Sequence, residues 1–306
     1  MTVARNRLDT ELVRRGLATS RTQAREFIES RRVQIAKVVA AKPATQVETS
    51  VAIEVLPARQ GDDYVSRGAH KLLGALKAFE GQFPPIAGAT CLDAGASTGG
   101  FTEVLLRRGA AKVIAVDVGY GQLAWKIQND PRVRVLDRTN VRYLKAQDID
   151  VSPSIVVADL SFISLTLVLP ALVQSCPEAT MMLMVKPQFE AGKGRIGAGG
   201  VVRDPRVRSE AVMKVARCAI HLGLTVQGVA ASPLPGPAGN VEYFLLLKPG
   251  PRGDDQGLDG TALQKAIEEA VEQGPSGERG SPHLQASLET GLQIDPQVDL
   301  EGGTLR

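Results

Sequence analysis

Between residues 5 and 28, apolar positions recur three and four apart: Leu8, Leu12, Val13 and Leu17, then Ala24, Phe27 and Ile28. This spacing predicts two short amphipathic helices joined near Gly16 to Ser20. Two brief runs, V-Q-I and V-A-I-E-V, read as a strand pair that completes a small α+β unit over residues 1–60. From residue 66 the pattern changes. Continuous apolar runs alternate with amphipathic stretches: T-C-L-D-A-G-A, A-K-V-I-A-V-D-V, R-V-R-V-L-D-R, P-S-I-V-V-A-D, A-T-M-M-L-M-V-K and finally E-Y-F-L-L-L-K-P. Uninterrupted apolar strands separated by helices predict a mostly parallel sheet covered on both faces, so residues 66–250 read as one α/β domain. Between the two units, G-D-D-Y-V at 61–65 reads as a linker, with Gly61 and two acids marking the break. Beyond Pro249 the chain becomes turn-rich and poor in large apolar groups. Residues 251–306 are therefore expected to form an acidic, mostly disordered tail, with one short helix over T-A-L-Q-K-A-I-E-E-A-V-E-Q.

Charge sharpens this division. The 306 residues carry a net charge of +3, but residues 1–60 hold 11 Lys and Arg against 6 Asp and Glu, a net of +5. Residues 251–306 hold 4 against 11, a net of −7, which leaves +10 on the rest of the chain. A basic body with an acidic tail suits a polyanionic partner. Cys91, Cys176 and Cys218 are scattered, with no C-x-x-C, and His70, His221 and His283 have no ligand spacing, so neither a disulfide framework nor a metal site is expected. The N-terminus lacks an apolar signal core. The apolar stretch around 155–173 is interrupted by Asp159 and Pro170 and parses as strand, turn and helix, so the reading is cytoplasmic, with no membrane span.

The chemistry collects at the strand ends. D-A-G-A-S-T-G-G at 93–100 is a glycine-rich turn between a strand and a helix, and its glycines at 95, 99 and 100 do not form the G-x-G-x-x-G of a dinucleotide fold. The spacing suits a nucleoside, S-adenosylmethionine. Asp117, 22 positions past Gly95 at the end of the next strand, is placed to take both ribose hydroxyls of an adenosine; Asp137, at the end of the third, is placed to meet the adenine amine. Asp159 and Lys186 end the fourth and fifth strands, Glu242 opens the last, and Lys71 lies on a helix that enters the domain before its first strand. A charge at the mouth of the buried run M-M-L-M-V is costly unless partnered, which argues for a shared site at Lys186. A ribose hydroxyl is a very weak acid, so in-line attack on a sulfonium methyl needs a base or strong acceptor at the hydroxyl. Lys186 is the candidate base. Asp159 would orient it, Lys71 would hold the attacking oxygen or a nearby phosphate, and Glu242 would complete the network. No metal is required.

The strings V-S-R-G-A-H-K-L (65–72), D-A-G-A-S-T-G-G-F-T (93–102), D-V-G-Y-G-Q-L (117–123), A-D-L-S-F-I-S-L (158–165), V-K-P-Q-F-E-A-G (185–192) and G-N-V-E-Y-F (239–244) resemble the TlyA family, and the Lys-Asp-Lys-Glu set resembles that of the FtsJ-like ribose 2′-O-methyltransferases. The resemblance implies a Rossmann-like class I methyltransferase fold, with a mostly parallel seven-stranded sheet and helices on both faces. It also implies ribose methylation of cytidine in ribosomal RNA, on one or both subunits, and a historical "hemolysin" label. By matching motif, the catalytic set falls on Lys71, Asp159, Lys186 and Glu242. The cofactor set falls on Asp93, Gly95, Ser97, Gly99, Gly100, Phe101, Asp117, Val118, Asp137 and Asp159.

The first sixty residues resemble the RNA-binding domain named after ribosomal protein S-four, with Arg5, Arg7, Arg21, Arg25 and Lys42, joined by Arg67, as the expected RNA contacts. They depart from it in S-R-R-V-Q-I-A-K-V-V, which lacks the glycine and V-N-G turn of that module. Two other functions compete with ribose methylation: a base methyltransferase on the same fold, and a noncatalytic ribosome-binding factor. A-D-L-S-F lacks the paired prolines that base N-methylation recruits at the fourth strand.

Overall fold

The computed structural model describes residues 5–29, 32–40, 42–56, 63–250 and 257–275. Parts of the expected linker (61–62) and tail (251–256 and 276–306) lie outside the described residues. In chain order the elements of the first unit are β1 (Arg5–Arg7), α1 (Leu8–Arg14), α2 (Arg21–Glu29), β2 (Val33–Ile35), β3 (Val38–Val39), β4 (Gln46–Glu48) and β5 (Ile53–Val55). The helices pack through Leu8, Leu12, Ala24 and Ile28, each fully buried, as their spacing predicts. β1 pairs with β4, while β3, β2 and β5 form a second small sheet. Strands of two or three residues give too little alternation to be seen in a sequence, so β1, β3 and β4 were not predicted. The β2–β3 hairpin forms without glycine. Ala36 and Lys37 occupy its turn at φ 48° and 68°, where a two-residue hairpin favours Asn-Gly.

The second unit comprises α3 (Gly68–Ala78), β6 (Thr90–Ala94), α4 (Gly100–Arg107), β7 (Lys112–Val116), α5 (Trp125–Gln128), β8 (Val133–Leu136), β9 (Ile155–Ala158), α6 (Leu169–Ser175), β10 (Thr180–Val185), α7 (Pro187–Glu190), α8 (Pro205–His221), β11 (Leu224–Ala231), β12 (Tyr243–Pro249) and α9 (Gly260–Gln273). Its seven-stranded sheet runs β11-β12-β10-β9-β6-β7-β8. β8, β7, β6, β9 and β10 are parallel neighbours, and β12 inserts antiparallel between β10 and β11. Strand alternation divides the core in two: Met181, Leu183 and Val185 face the layer of α6, α8 and α9, while Met182 and Met184 face that of α3 and α4. The chain winds outward from β6 to β8, then returns to β9 on the other side of β6. That switch point opens a crevice beyond the carboxyl ends of β6 and β9.

Two segment boundaries differ from the expectation. The sheet unit does not end at 250, because α9 packs on β11 and α8 through Leu263, Ile267, Ala270 and Val271. Acidic residues on its outer face gave the whole segment the composition of a tail and hid one apolar stripe. The described part of the linker, Asp63 to Val65, is likewise pinned. Val65 N donates to the buried Glu103 Oε2 at 2.6 Å, Arg107 pairs with Asp63 at 2.8 Å, and the Arg107 guanidinium lies 4.2 Å from the centre of the Tyr64 ring.

Ile267→Ala should therefore destabilise the sheet unit by about 2–4 kcal/mol in denaturant unfolding. A loss within ~0.5 kcal/mol would show that the helix is only loosely attached.

Candidate active site

Strand register assembles the candidate catalytic set. Val185 at the end of β10 lies opposite Tyr243 at the start of antiparallel β12, which brings Lys186 and Glu242 to the same edge of the sheet. Ala158 at the end of β9 lies beside both Ala94 and Leu183, which places Asp159 between the glycine-rich turn and β10. From above, α3 lowers Lys71 onto this edge. The four side chains form two pairs. Lys71 Nζ donates to Glu242 Oε2 in a short contact, with Met184 Sδ 3.9 Å away; Lys186 Nζ sits 2.6 Å from Asp159 Oδ1 and donates to Ser161 Oγ at 2.9 Å. The first pair is the more buried, with Glu242 1% exposed; the second is more open, with Asp159 at 21%. Gln188 Nε2, two residues beyond Lys186, reaches Glu242 Oε1 at 3.5 Å.

The turn at 93–100 leaves β6 through Gly95 at φ 88° and enters α4 through Gly99 at φ 97°. A Cβ at Gly95 would stand 2.7 Å from the Asp159 carbonyl oxygen, so glycine here allows two strand ends to touch. A Cβ on Gly100 would run into Ser66 Oγ and stand 3.0 Å from Ala69 N, so glycine here also lets α3 pack closely on the start of α4. The Phe101 side chain is likewise turned into the core, where it stacks on Phe244 with ring centroids 6.3 Å apart, so it does not line the crevice as the cofactor set expected.

Carboxylates at successive strand ends tie the loops together. Asp117 accepts from Ser97 N at 2.8 Å and Gly119 N at 2.7 Å, and Asp137 accepts from Gly121 N at 2.9 Å. Ser97 and Val118 are exposed beside them. Asp93 is fully buried beneath the turn: Oδ2 accepts from Thr102 Oγ1 at 2.6 Å, while Oδ1 has no hydrogen-bond partner. Burial pushes this carboxyl up to about 7; the Thr102 hydrogen bond opposes the rise and the nearby Asp159 charge adds to it.

Two features of this edge leave little trace in the sequence. Glu190, buried, accepts from Ser164 Oγ at 2.5 Å and Leu165 N at 2.6 Å, with Lys214 Nζ 3.4 Å away, and so locks the loop after β9 to the loop after β10. Its place in V-K-P-Q-F-E-A-G was the one available signal. Phe162 stands 91% exposed at φ 64°, its ring 5.2 Å from that of Phe189. Ser97 and Arg138 share that left-handed conformation at φ 48° and 53°. Strained non-glycine backbone thus gathers on the loops after β6, β8 and β9, as it does at functional sites.

Of the expected RNA contacts, Arg7, Arg21 and Arg25 converge on Asp9, Arg5 pairs with the exposed Glu48 at 3.1 Å, Lys42 is exposed, and Arg67 Nη2 donates to the Pro235 carbonyl at 2.8 Å. The first unit and the sheet unit thus each carry a candidate set. No helix among the described residues is long and apolar enough to cross a membrane, and no cluster of three or more His, Cys, Asp or Glu among them is placed to hold a metal ion.

Residues 64–249 match the FtsJ-like methyltransferase family and residues 6–53 match the S4 domain. The chain is 56% identical over 272 residues to the 16S/23S rRNA (cytidine-2′-O)-methyltransferase TlyA of Mycobacterium tuberculosis, an alignment that covers 89% of this chain and 99% of that protein. It is 36% identical over 240 residues to Hemolysin A of Brachyspira hyodysenteriae, covering 78% and 98% respectively. Among solved structures, a hemolysin-named protein of Streptococcus thermophilus superposes with a TM-score of 0.68 at 33% identity, over 89% of this chain and 98% of that one.

The raised Asp93 carboxyl carries a pH signature. The folded state holds its proton more tightly than the unfolded chain, whose carboxyl ionises near 3.8, so this contribution is complete below about 3.8 and is lost as pH rises towards about 7. Asp93→Asn should gain in melting temperature relative to the wild type between pH 5 and pH 8. A difference that stays constant over this range would remove the buried carboxyl from the account.

Proposed function

We propose, on the premise that this chain belongs to the TlyA family of FtsJ-like methyltransferases, that it is an S-adenosylmethionine-dependent ribose 2′-O-methyltransferase acting on cytidine in ribosomal RNA. The observation that carries the reading is the pair of Lys–acid contacts at the sheet edge, Lys71–Glu242 and Lys186–Asp159. A nucleobase nitrogen already offers a lone pair, whereas a ribose hydroxyl must lose a proton as it attacks, and only the second acceptor gives such a site a task.

The residues present suit the cofactor. Asp117 and Asp137, each half-buried with lone pairs left beyond the amides they accept, stand at neighbouring strand ends as acceptors for hydroxyl and amine groups of a nucleoside, and Ser97 of the turn is exposed beside Asp117. S-adenosylmethionine, when bound, supplies an electrophilic methyl group. Asp159 and Ser161 hold Lys186 Nζ at the crevice, where Lys186 would accept the proton that the ribose 2′-hydroxyl gives up. Glu242 holds Lys71 pointing at the same edge, where its ammonium positions the hydroxyl or an adjoining phosphate. The exposed Phe162 ring, set against the half-buried Phe189, offers a stacking face for the base attached to that ribose. Positioning and exclusion of water supply most of the acceleration, because charge is lost as the methyl moves. The N-terminal unit brings the substrate by its phosphates, which makes ribosomal RNA the partner and the cytoplasm the place of work.

Lys186→Ala should lower methyl transfer to purified ribosomal subunits by about 10²–10⁴-fold while leaving S-adenosylmethionine affinity, measured by calorimetry, within about threefold. Collapse of both together would make Lys186 a cofactor or stability residue. Glu242→Ala should differ: it strands a buried lysine, so activity is lost along with about 3 kcal/mol or more of stability. Full stability in that variant would mean that Lys71 finds another partner.

A further inference from the structure

Asp9 is 0% exposed, yet its carboxylate is the meeting point of three arginines whose side chains are 41%, 55% and 53% exposed. Arg7 grips it with Nε on Oδ1 and Nη2 on Oδ2, both at 3.0 Å; Arg21 Nη2 reaches Oδ2 at 3.1 Å and Arg25 Nε at 3.4 Å. Thr10 N caps Oδ1 at 3.0 Å. Arg7 comes from the end of β1, Arg21 from the first position of α2, and Arg25 from one turn further on.

We infer that Asp9 is a positioning residue that organises Arg7, Arg21 and Arg25 into a preformed clamp for the phosphate backbone of RNA. One carboxylate cannot neutralise three guanidiniums, so the cluster keeps a net charge of +2 at the surface. A guanidinium has five N–H donors in a fixed fork. Each arginine spends one or two on Asp9, and the remaining donors stay available. Without a shared anion the three would repel one another and sample many rotamers; phosphate binding would then bear that ordering cost. The carboxylate meets that cost on folding. Its titration agrees, since the hydrogen bond from Arg7, above all, holds the Asp9 carboxyl well below the usual range, so the anion persists at any working pH.

A second arginine set in the same unit serves as an internal control. Glu11, also buried, accepts from Arg14, Arg15 and Asn6, but Arg15 spends its other donors inward, on the carbonyls of Val51 at 2.7 Å and Thr49 at 2.9 Å. Arg15 ties α1 to the loop between β4 and β5 and has no fork left for a ligand.

The inference rests on the N-terminal unit being the RNA-binding part of the proposed enzyme. The test uses the full chain, with protein-free 16S and 23S ribosomal RNA in filter binding over a range of salt, and methyl transfer to intact subunits in parallel. The triple variant Arg7→Lys, Arg21→Lys, Arg25→Lys keeps every charge and loses the forks. It should bind about tenfold more weakly at fixed salt with an unchanged salt slope, and should raise KM for subunits while kcat holds. Asp9→Asn should also weaken binding although it adds net positive charge, with unfolding curves recorded to verify the fold; Arg15→Lys should lower stability without changing RNA affinity. Equal binding by the triple-Lys variant, or tighter binding by Asp9→Asn, overturns the clamp and leaves only bulk charge. Failure of the wild type to bind either RNA also overturns it, and persistence of methyl transfer in that case would leave the enzymatic reading intact.

Discussion

A lysine at the closed end of a buried strand has to be paired, and the sheet edge is arranged around that requirement. Lys186 follows five buried residues of β10 and Lys71 descends from α3 into the same apolar layer; neither ammonium is tolerated there without an acid within reach. A purely parallel sheet would supply acids only from loops that follow strands. By entering antiparallel beside β10, β12 supplies one from a loop that precedes a strand, and Glu242 thereby faces Lys71 across the edge. Topology, burial and chemistry therefore depend on one contact set. The same edge lies next to the switch point between β6 and β9, so the glycine-rich turn and the Lys186–Asp159 pair meet at Asp159.

Buried carboxylates act as organisers throughout the chain, and each collects groups from segments that composition alone would leave separate. Glu190 joins the loops that carry Asp159 and Lys186, Glu103 receives Val65 N, Arg107 and Lys126, and Asp9 gathers three arginines. Each costs desolvation and recovers it through several charge-assisted hydrogen bonds at once. Such acids fix loops more firmly than an isolated surface pair, whose strength is largely screened.

Much of this was legible in the linear chain, because parallel strands buried on both faces show as unbroken apolar runs and their polar caps then stand out. Asp117, Asp137, Asp159 and Lys186 were placed at strand ends for that reason, and the structure puts each one residue past its strand. What could not be read is whatever depends on contacts between distant segments. Gly100 and Phe101 sit in a motif that a ligand reading absorbs, yet one meets Ser66 and the other Phe244. The stripe of α9 was masked by its acids, β11 was broken by Gly228 at a bulge, and the Ala36–Lys37 turn forms in spite of its residues because the flanking strands hold it.

The role of the Lys–acid pairs depends on the acceptor being a ribose oxygen. The most direct measurement is methyl transfer to ribosomal RNA reconstituted with 2′-deoxycytidine at the position where methylation maps on the normal substrate. Ribose methylation requires binding close to that of the unmodified RNA, through unchanged phosphate contacts, and no methyl incorporated. A methyl group that still arrives on the deoxy substrate would place the reaction on the base and contradict the role assigned to the Lys–acid pairs.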